Sequence, residues 1–258
     1  MKHIFATRPI GEFADYSASH LGAGERYHKR FVVHPGRALM WELEQAALRD
    51  IVGALKPRRI LDFACGTGRI ASFLENTFAE PAIDGIDISE SMITLAREKA
   101  VRVNYRLMDT QQAISVFGER HFDLITAFRF FANAEHSLRE RIAGDLARLV
   151  SDDGALVINN HRNFWSTSYI ARRLKGEKPI GALNSDIEGL FTGQGFRVMR
   201  KLSLGLWPQG DTQALMLPWK AVRALERRNL DWLAAGHALG YNTVWVLSRA
   251  RTGEQPCA

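Results

Sequence analysis

Apolar and polar positions along residues 1–160 alternate between patterns typical of buried strands and of amphipathic helices. Short apolar runs predict strands near residues 59–63, 82–87, 102–107, 122–127 and 154–160. Apolar positions at helical spacing predict helices near residues 36–55, 69–78, 90–100 and 136–150. This alternation predicts an α/β fold in which a mostly parallel, doubly wound sheet carries helices on both faces.

The alternation changes after residue 160, so the last part of the chain has a different organisation. Helices are predicted near residues 163–174 and 185–193, and strands near 196–204 and 241–248. The stretch between these two strands contains three tryptophans, two prolines and one predicted helix, near residues 219–233.

No linker rich in proline, glycine or serine divides the chain, so we interpret residues 1–258 as a single domain. Its predicted parts are an N-terminal helical cap or lid at 1–37, a core at 38–160, and a C-terminal part at 161–258 with an insertion at about 205–240.

One segment of the predicted core has the pattern of a nucleotide-binding turn. The apolar strand near 59–63 contains Asp62 and runs into Gly66-Thr-Gly68 before the next helix begins. Glycines at these positions let the backbone turn tightly and approach a ligand closely. In open α/β sheets ligands bind beyond the carboxyl ends of the strands, which is where this turn is expected.

Asp87, the last residue of the second predicted strand, lies about 20 residues beyond Gly68, the spacing at which a carboxylate meets the ribose hydroxyls of a nucleotide. The alternative is that Asp87 caps the helix that follows, but Ser89 is better placed for that role. We therefore predict that Asp87 binds ribose.

From about Arg58 to Asn160 the chain resembles the Rossmann-like S-adenosylmethionine-dependent methyltransferases. Their first motif, an acid followed by a glycine-rich turn and a helix, is written here as Asp62-Phe-Ala-Cys-Gly-Thr-Gly68. Further matching segments are Asp87-Ile-Ser89, Leu107-Met-Asp109 and Phe122-Asp-Leu-Ile-Thr-Ala127. The resemblance implies S-adenosylmethionine as cofactor and S-adenosylhomocysteine as product. It also implies seven strands, the last two forming an antiparallel hairpin at the sheet edge, and an insertion that covers the substrate.

The resemblance further implies which residues contact the cofactor. The acid and glycine-rich turn of the first motif, Asp62, Ala64, Gly66 and Gly68, lie near its amino-acid end, and Asp87 binds its ribose. Ile88 and Met108 cover the faces of its adenine, and Asp109 accepts from the adenine amino group. Phe128 lies beside its methionine part.

Ala64 departs from the family, which usually has glycine at this position. Because alanine does not readily adopt a positive φ, we expect an extended backbone there.

A nicotinamide dinucleotide site is the rival interpretation, since Gly66-Thr-Gly-Arg-Ile-Ala71 also fits the dinucleotide fingerprint. Two carboxylates argue against it. Asp62 would oppose a pyrophosphate but suits a cationic amino group, and Asp109 is placed to accept from an adenine amino group.

The segment after the fourth predicted strand lies where substrates of the resembling family meet the methyl group. It lacks the Asn-Pro-Pro-Tyr type of motif of members that methylate adenine or glutamine, which disfavours those acceptors. Phe130 and Phe131 are candidates to flank the acceptor or the sulfonium, with core packing as the alternative. His161 and His136 are candidate general bases, because imidazole titrates near working pH, and a structural or exposed histidine is the alternative.

Aromatic and basic residues outside the core motifs supply further candidates. Tyr16, Tyr27 and Arg30 lie in the predicted cap, and related enzymes close such a lid over cofactor and acceptor. We predict the two tyrosines near the substrate and Arg30 on the cofactor carboxylate, with an arm packed on the sheet as the alternative. Trp207, in a predicted loop, is a candidate pocket residue, with hydrophobic packing as the alternative.

Composition limits the remaining classes. The 258 residues are 46% hydrophobic, enough for a full core, and no apolar run is long enough to cross a bilayer, so we expect a soluble cytoplasmic protein. Cys65 and Cys257 form a poor disulfide pair and are too few for a structural metal, so two thiols and no metal are predicted. The net charge of +6 would suit nucleic acid, but the basic residues are scattered.

Together these patterns predict a methyltransferase that acts on an oxygen or nitrogen of a small molecule, such as a sugar or another secondary metabolite, by in-line displacement. An RNA or protein acceptor is one alternative, although no separate nucleic-acid-binding module is visible. A non-catalytic cofactor-binding partner or regulatory protein is the other. The sequence makes no prediction about oligomeric state.

Overall fold

The protein is described here from a computed structural model, which covers residues 35–207, 217–229 and 238–250. In these residues the strands are β1 (Arg59–Phe63), β2 (Ala82–Asp87), β3 (Asn104–Leu107), β4 (Phe122–Ala127), β5 (Val150–Asn160), β6 (Phe196–Leu204) and β7 (Asn242–Arg249). The helices are α1 (Pro35–Leu55), α2 (Arg69–Thr77), α3 (Glu90–Arg97), α4 (Thr110–Phe117), α5 (His136–Leu149), α6 (Thr167–Leu174), α7 (Asn184–Thr192) and α8 (Trp219–Asn229).

All seven strands join one sheet in the order β3-β2-β1-β4-β5-β7-β6. The first five strands pair in parallel, whereas β7 runs antiparallel to both β5 and β6. Strand order reverses between β1 and β4, and the crevice beyond their carboxyl ends is where open α/β sheets bind ligands. The predicted fold class is confirmed, including the antiparallel hairpin at the sheet edge.

The core lies on both faces of the sheet because neighbouring strand residues point in opposite directions. Ile60 belongs to the cluster under α1 and α2, and Leu61 to the cluster under α5 and α7. On α1 most of the predicted apolar stripe is buried, with Leu39 1% and Leu43 2% exposed. This burial fixes α1 on the sheet, with its amino end towards the carboxyl ends of the strands.

Helix α4 is absent from the predicted elements, although the sequence carries its start signal. Asp109 Oδ1 accepts from the backbone N of Gln112 at 2.8 Å, and Gln112 Oε1 accepts from the backbone N of Asp109 at 2.9 Å. This reciprocal pair is a capping box, which satisfies two backbone donors at a helix start. Only Thr110 and Ala113 of the helix are buried, so its apolar periodicity is weak.

The described part of the predicted insertion packs on α1. Val222 of α8 is fully buried in the cluster under α1, and Arg223 pairs with Glu42 at 3.0 Å. The predicted helix over 219–233 is confirmed as far as Asn229, and residues 208–216 and 230–237 lie outside the described ranges. Among the described helices, none is both long and apolar enough to span a membrane.

A close contact between β2 and β3 gives a test of this packing. An added Cβ at Gly85 would lie 2.7 Å from Cδ1 of Tyr105, a side chain that is 5% exposed. We expect Gly85→Ala to lower the free energy of unfolding by about 1–3 kcal/mol in urea titrations, because the buried ring has to shift.

The matched control is Gly144→Ala on α5, where an added Cβ meets nothing within 4 Å. This variant is expected to raise the free energy of unfolding by about 0.5–1 kcal/mol, since alanine favours a helix over glycine. If Gly85→Ala and Gly144→Ala changed the free energy of unfolding equally, the close contact of Gly85 with Tyr105 would be contradicted.

Candidate functional site

The chain leaves β1 through a turn with three left-handed residues. Their φ angles are 51° at Ala64, 54° at Gly66 and 71° at Gly68. The expectation of an extended backbone at Ala64 is therefore wrong. Cys65 N donates to Ile86 O at 3.0 Å, a bond that ties the turn to β2 and holds the adjacent alanine in a conformation that costs about 1–2 kcal/mol.

The two glycines meet different demands. An added Cβ at Gly66 would have nothing within 4 Å, so the backbone is open on this side. At Gly68 an added Cβ would lie 2.9 Å from Cζ of Tyr105, so close packing as well as φ requires glycine. The turn thus leaves open space beside Gly66 and packs Gly68 against Tyr105 of β3.

Asp87 links this turn to the end of β2. Its Oδ2 accepts from the backbone N of Gly66 at 2.8 Å, and its Oδ1 accepts from the backbone N of Ser89 at 2.9 Å. Ser89 occupies the capping position before α3, but its side chain makes no capping hydrogen bond, and it is Asp87 that binds the backbone at the start of this helix. Asp87 therefore lies at the crevice and supports the turn as well, a second role that the spacing did not predict.

Apolar side chains flank Asp87 where adenine is expected. Ile88 is 43% exposed although it is a large apolar residue, and Met108 is half-buried against the second core cluster. The backbone N of Met108 donates to Asp87 O at 3.1 Å. The structure thus brings these three predicted residues together, and their contacts with adenine and ribose stay predictions.

Asp109 is exposed and begins α4. One of its oxygens is used by the capping box, which explains an acid at this position without any ligand. Its contact with the adenine amino group stays a prediction.

Asp62 lies under the turn and is 1% exposed. Its carboxylate accepts from Thr126 Oγ1 at 2.8 Å and from the backbone N of Ala71 at 3.2 Å. Burial raises the pKa of Asp62 to about 7, against the effect of these two bonds and of Arg69. A nearby cation would favour its ionised form, which agrees with the predicted place of a cofactor amino group.

At the exit of β4 the backbone is again left-handed. Phe128 is 8% exposed, and Arg129 after it has a φ of 63°. The backbone N of Arg129 donates to Asn159 Oδ1 at 2.6 Å, and its carbonyl accepts from Asn133. Strained non-glycine residues persist where neighbours over-determine them, often at functional sites.

A buried carboxylate, Glu44 of α1, holds this exit. Its Oε1 accepts from Arg129 at 3.1 Å and from Asn242 Nδ2 at 2.8 Å, and its Oε2 accepts from Arg69 at 3.1 Å. Asn242 in turn accepts from Asn159 Nδ2 at 2.8 Å. We call this set of five residues the Glu44 network. It joins α1, the start of α2, the exit of β4, β5 and β7.

Sequence reasoning missed the Glu44 network. Its local signal is a charged residue inside the apolar stripe of α1, directly after Leu43 and four positions before Leu48. Charged residues are rarely fully buried unless they are paired, so this position predicts a buried partner. The partner itself is not visible in the sequence.

The two candidate bases have different surroundings. His161 follows β5 and is 7% exposed, and its Nδ1 has no hydrogen-bond partner among the described residues. Burial, followed by the charges of nearby arginines, lowers the pKa of His161 well below its usual range. The side chain of His136 at the start of α5 is 79% exposed and pairs with Glu140 at 3.3 Å.

The aromatic candidates lie in the core. Phe130 is 5% exposed and Phe131 0%, and their rings form edge contacts with Phe63 and Phe191. The structure therefore favours core packing, the alternative given for both. Trp207 is half-buried against the first core cluster, and its backbone N donates to Glu226. Contact of these residues with a substrate stays a prediction.

Three predicted residues, Tyr16, Tyr27 and Arg30, lie outside the described residues, as does Cys257. Cys65 is a buried free thiol, and burial raises its pKa. No cluster of metal ligands occurs in the part of the chain that the structure describes.

The comparisons with known proteins bear on this crevice. A family model described as a methyltransferase domain matches residues 60–154, which contain the turn, Asp87 and the exit of β4. The crystal structure of a SAM-dependent methyltransferase from Archaeoglobus fulgidus has a TM-score of 0.56 at 18% identity, over 81% of this chain and 94% of that one. The family model, together with this shared fold, supports a Rossmann-like S-adenosylmethionine-dependent methyltransferase.

Curated relatives match parts of the chain. Demethylmenaquinone methyltransferase from Thermus thermophilus is 33% identical over 114 residues, 42% of this chain and 50% of that protein. The Thermotoga maritima protein of the same name is 29% identical over 60% of this chain and 64% of its own length. A trans-aconitate 2-methyltransferase from Methylobacterium nodulans is 31% identical over 49% of this chain and 47% of that protein. The chain thus spans between half and two thirds of the first two relatives.

A second solved structure contains a bound product. Magnesium protoporphyrin IX methyltransferase from Synechocystis PCC 6803, with bound SAH, has a TM-score of 0.54 at 16% identity, over 83% of this chain and 84% of that one. At such identity the likeness shows the fold. The residues present fit S-adenosylmethionine, because there is open space beside the Cα of Gly66, with Asp87 and the exposed Ile88 next to it.

The Glu44 network gives a prediction about stability. Glu44→Gln leaves the guanidinium groups of Arg69 and Arg129 without their buried counter-charge. We expect the free energy of unfolding in urea to fall by about 3 kcal/mol.

Glu42→Gln on the same helix is the control, because the pair of Glu42 with Arg223 is partly exposed. Its loss is expected to stay below about 1 kcal/mol. A loss at Glu44 no larger than that at Glu42 would show that the network does not stabilise the fold.

Proposed function

We propose that this chain transfers a methyl group from S-adenosylmethionine to an oxygen or nitrogen atom of a small molecule. The observation that carries the proposal is the turn after β1, where there is open space beside the Cα of Gly66 and Asp87 binds the backbone N of Gly66 from the end of β2. An acid at this point can meet ribose hydroxyls while it keeps the turn in place, since a carboxylate accepts several hydrogen bonds.

The other contacts of the cofactor follow the same edge of the sheet. We propose that Ile88 and Met108 cover adenine, with Asp109 at its amino group. Phe128, beyond β4, would lie beside the methionine part, and Asp62 near its amino group. The exposure of Ile88 supports this arrangement, since an exposed large apolar side chain at a strand end suits a ligand contact.

When bound, the sulfonium supplies an electrophilic methyl group for an in-line displacement. The task of the protein is then to align the acceptor and exclude water, and to accept a proton where the acceptor has one. Glu44 and Asn159 fix Arg129 at the exit of β4, beside the place expected for the methyl group. His161 lies one strand further along the sheet and, because burial lowers its pKa, is neutral at physiological pH.

The named substrates of the curated relatives support a small-molecule acceptor. Those relatives are called demethylmenaquinone methyltransferase and trans-aconitate 2-methyltransferase, and the substrates in both names are small molecules.

Calorimetric titration of S-adenosylhomocysteine tests the cofactor site, with NADH as the rival ligand. Asp87→Ala is expected to raise the dissociation constant by about 10-fold to 100-fold, because charge-assisted bonds to ribose are lost. Asp84→Ala, which removes a carboxylate paired with Arg106 at 3.4 Å on the same strand, is the control and should retain wild-type affinity.

Preferential binding of NADH, or no binding of S-adenosylhomocysteine, would overturn the proposal. Transfer itself is then tested with methyl-labelled S-adenosylmethionine and a panel of small-molecule alcohols, acids and amines. Methylation of RNA or protein, with none of the panel, would contradict a small-molecule acceptor.

The raised pKa of Asp62 gives a prediction about protons. At pH 7 a carboxyl with a pKa of about 7 is half protonated. A cofactor ammonium beside it would lower the pKa, so binding should release about half a proton near pH 7. The release is measured by titrating S-adenosylhomocysteine in two buffers with different ionisation enthalpies. Asp62→Asn should abolish the proton release. Proton uptake by the wild-type protein, or an equal release by the variant, would contradict a cofactor ammonium beside Asp62.

A further inference from the structure

His161 occupies a position that the transfer of a methyl group does not by itself explain. It directly follows β5, whose last residues, Asn159 and Asn160, are fully buried at the carboxyl end of the sheet. Its side chain is more than nine-tenths buried, and Nδ1 has no hydrogen-bond partner among the described residues. A buried polar nitrogen without a partner costs free energy unless a water or a ligand satisfies it.

Arginines dominate the charges that act on this ring. After burial, the charges of Arg129, Arg162, Arg69 and Arg37 lower the pKa of His161. Glu44 offsets part of the charge of two of them, Arg69 and Arg129. One carboxylate among four guanidinium groups leaves an excess of positive charge, which favours an anion over a cation at His161.

Two of these arginines are held in fixed places. Arg69 and Arg129 bind the two oxygens of the same buried carboxylate, Glu44, at 3.1 Å each. Arg69 also lies over the ring of Trp41, with its guanidinium carbon 4.3 Å from the ring centroid. The two guanidinium groups share one counter-charge, so the three side chains together keep an excess of one positive charge, and they need no ordering when a ligand binds.

A neutral imidazole in a positive potential suits one class of ligand. Its ring N–H donates a hydrogen bond, and the fixed guanidinium groups attract negative charge over several ångströms. A carboxylate gains from both effects, whereas a neutral amide of the same shape gains only from the hydrogen bond. The same surroundings make His161 a weak general base, because its pKa lies well below the working pH.

We propose that the methyl acceptor of this enzyme is an anion and that its carboxylate binds at Nδ1 of His161, beside Arg129 and Arg162. This inference rests on the proposed function. It narrows the class of methyl acceptor from small molecules in general to carboxylic acids. His161 is then a residue that determines acceptor specificity. The alternative occupant is the carboxylate of the cofactor itself, and the test separates the two.

The probes are malonate and its neutral analogue malonamide, titrated into protein saturated with S-adenosylhomocysteine. The readout is the ¹³C-labelled imidazole resonance of His161, assigned by its absence in His161→Asn. We expect a saturable shift with malonate and at least about tenfold weaker binding of malonamide, since the amide lacks the charge.

Three variants test whether malonate binding depends on His161. His161→Phe should weaken malonate binding by about tenfold or more in calorimetry, because the ring N–H is lost. His161→Asn, which keeps a donor near the position of Nδ1, should restore part of the affinity. His121→Asn, which changes a histidine packed on Phe117 and Phe122 before β4, should leave it unchanged.

The following outcomes would overturn the inference. Equal affinity for malonate and malonamide would exclude charge recognition, and the lack of a saturable shift would exclude the site. A large loss of S-adenosylhomocysteine affinity in His161→Phe would assign the position to the cofactor carboxylate. If the wild-type protein binds S-adenosylhomocysteine but not malonate, only this inference is overturned. If it binds no S-adenosylhomocysteine, the proposed function is overturned.

Discussion

The carboxylate of Asp87 makes the interaction on which the cofactor site depends. It accepts from the backbone of Gly66 on one side and from that of Ser89 on the other, so one side chain fixes the turn after β1 and the start of α3 together. The turn has three left-handed residues, and one of them is the strained Ala64. Such a backbone persists because its neighbours determine it, and Asp87 is the neighbour that also faces the crevice. Asp87 thus supports the turn, and we propose that the same group binds the ribose.

A second carboxylate, the fully buried Glu44, has the same kind of role at the exit of β4. Glu44 lies on α1, outside the core motifs, yet it holds Arg69 next to the glycine turn and Arg129 at the exit of β4. Burying a carboxylate is costly unless its partners are in place, so the packing of α1 and the geometry of the crevice are coupled. Arg129 also contributes to the positive potential at His161. The network therefore connects the fold of the amino-terminal helix with the chemistry that we infer for the acceptor.

The sequence predicted the features that arise from local pattern and missed those that arise from contacts distant along the chain. Strand positions and sheet type were predictable because hydrophobic periodicity is local. Helix α4 was missed because its capping acid, Asp109, was interpreted only as a ligand contact. The backbone of Ala64 was predicted from the preference of alanine, whereas the turn itself decides it. Glu44 and Asn242 are 198 positions apart, and no local pattern announces such a pair.

The structure of the protein in complex with S-adenosylhomocysteine would test the central claim most directly, because it locates the ribose and the adenine relative to named side chains. The account predicts both ribose hydroxyls within hydrogen-bond distance of the Asp87 carboxylate, with adenine between Ile88 and Met108. A ligand whose ribose lies away from Asp87, or which binds outside the crevice between β1 and β4, would contradict it.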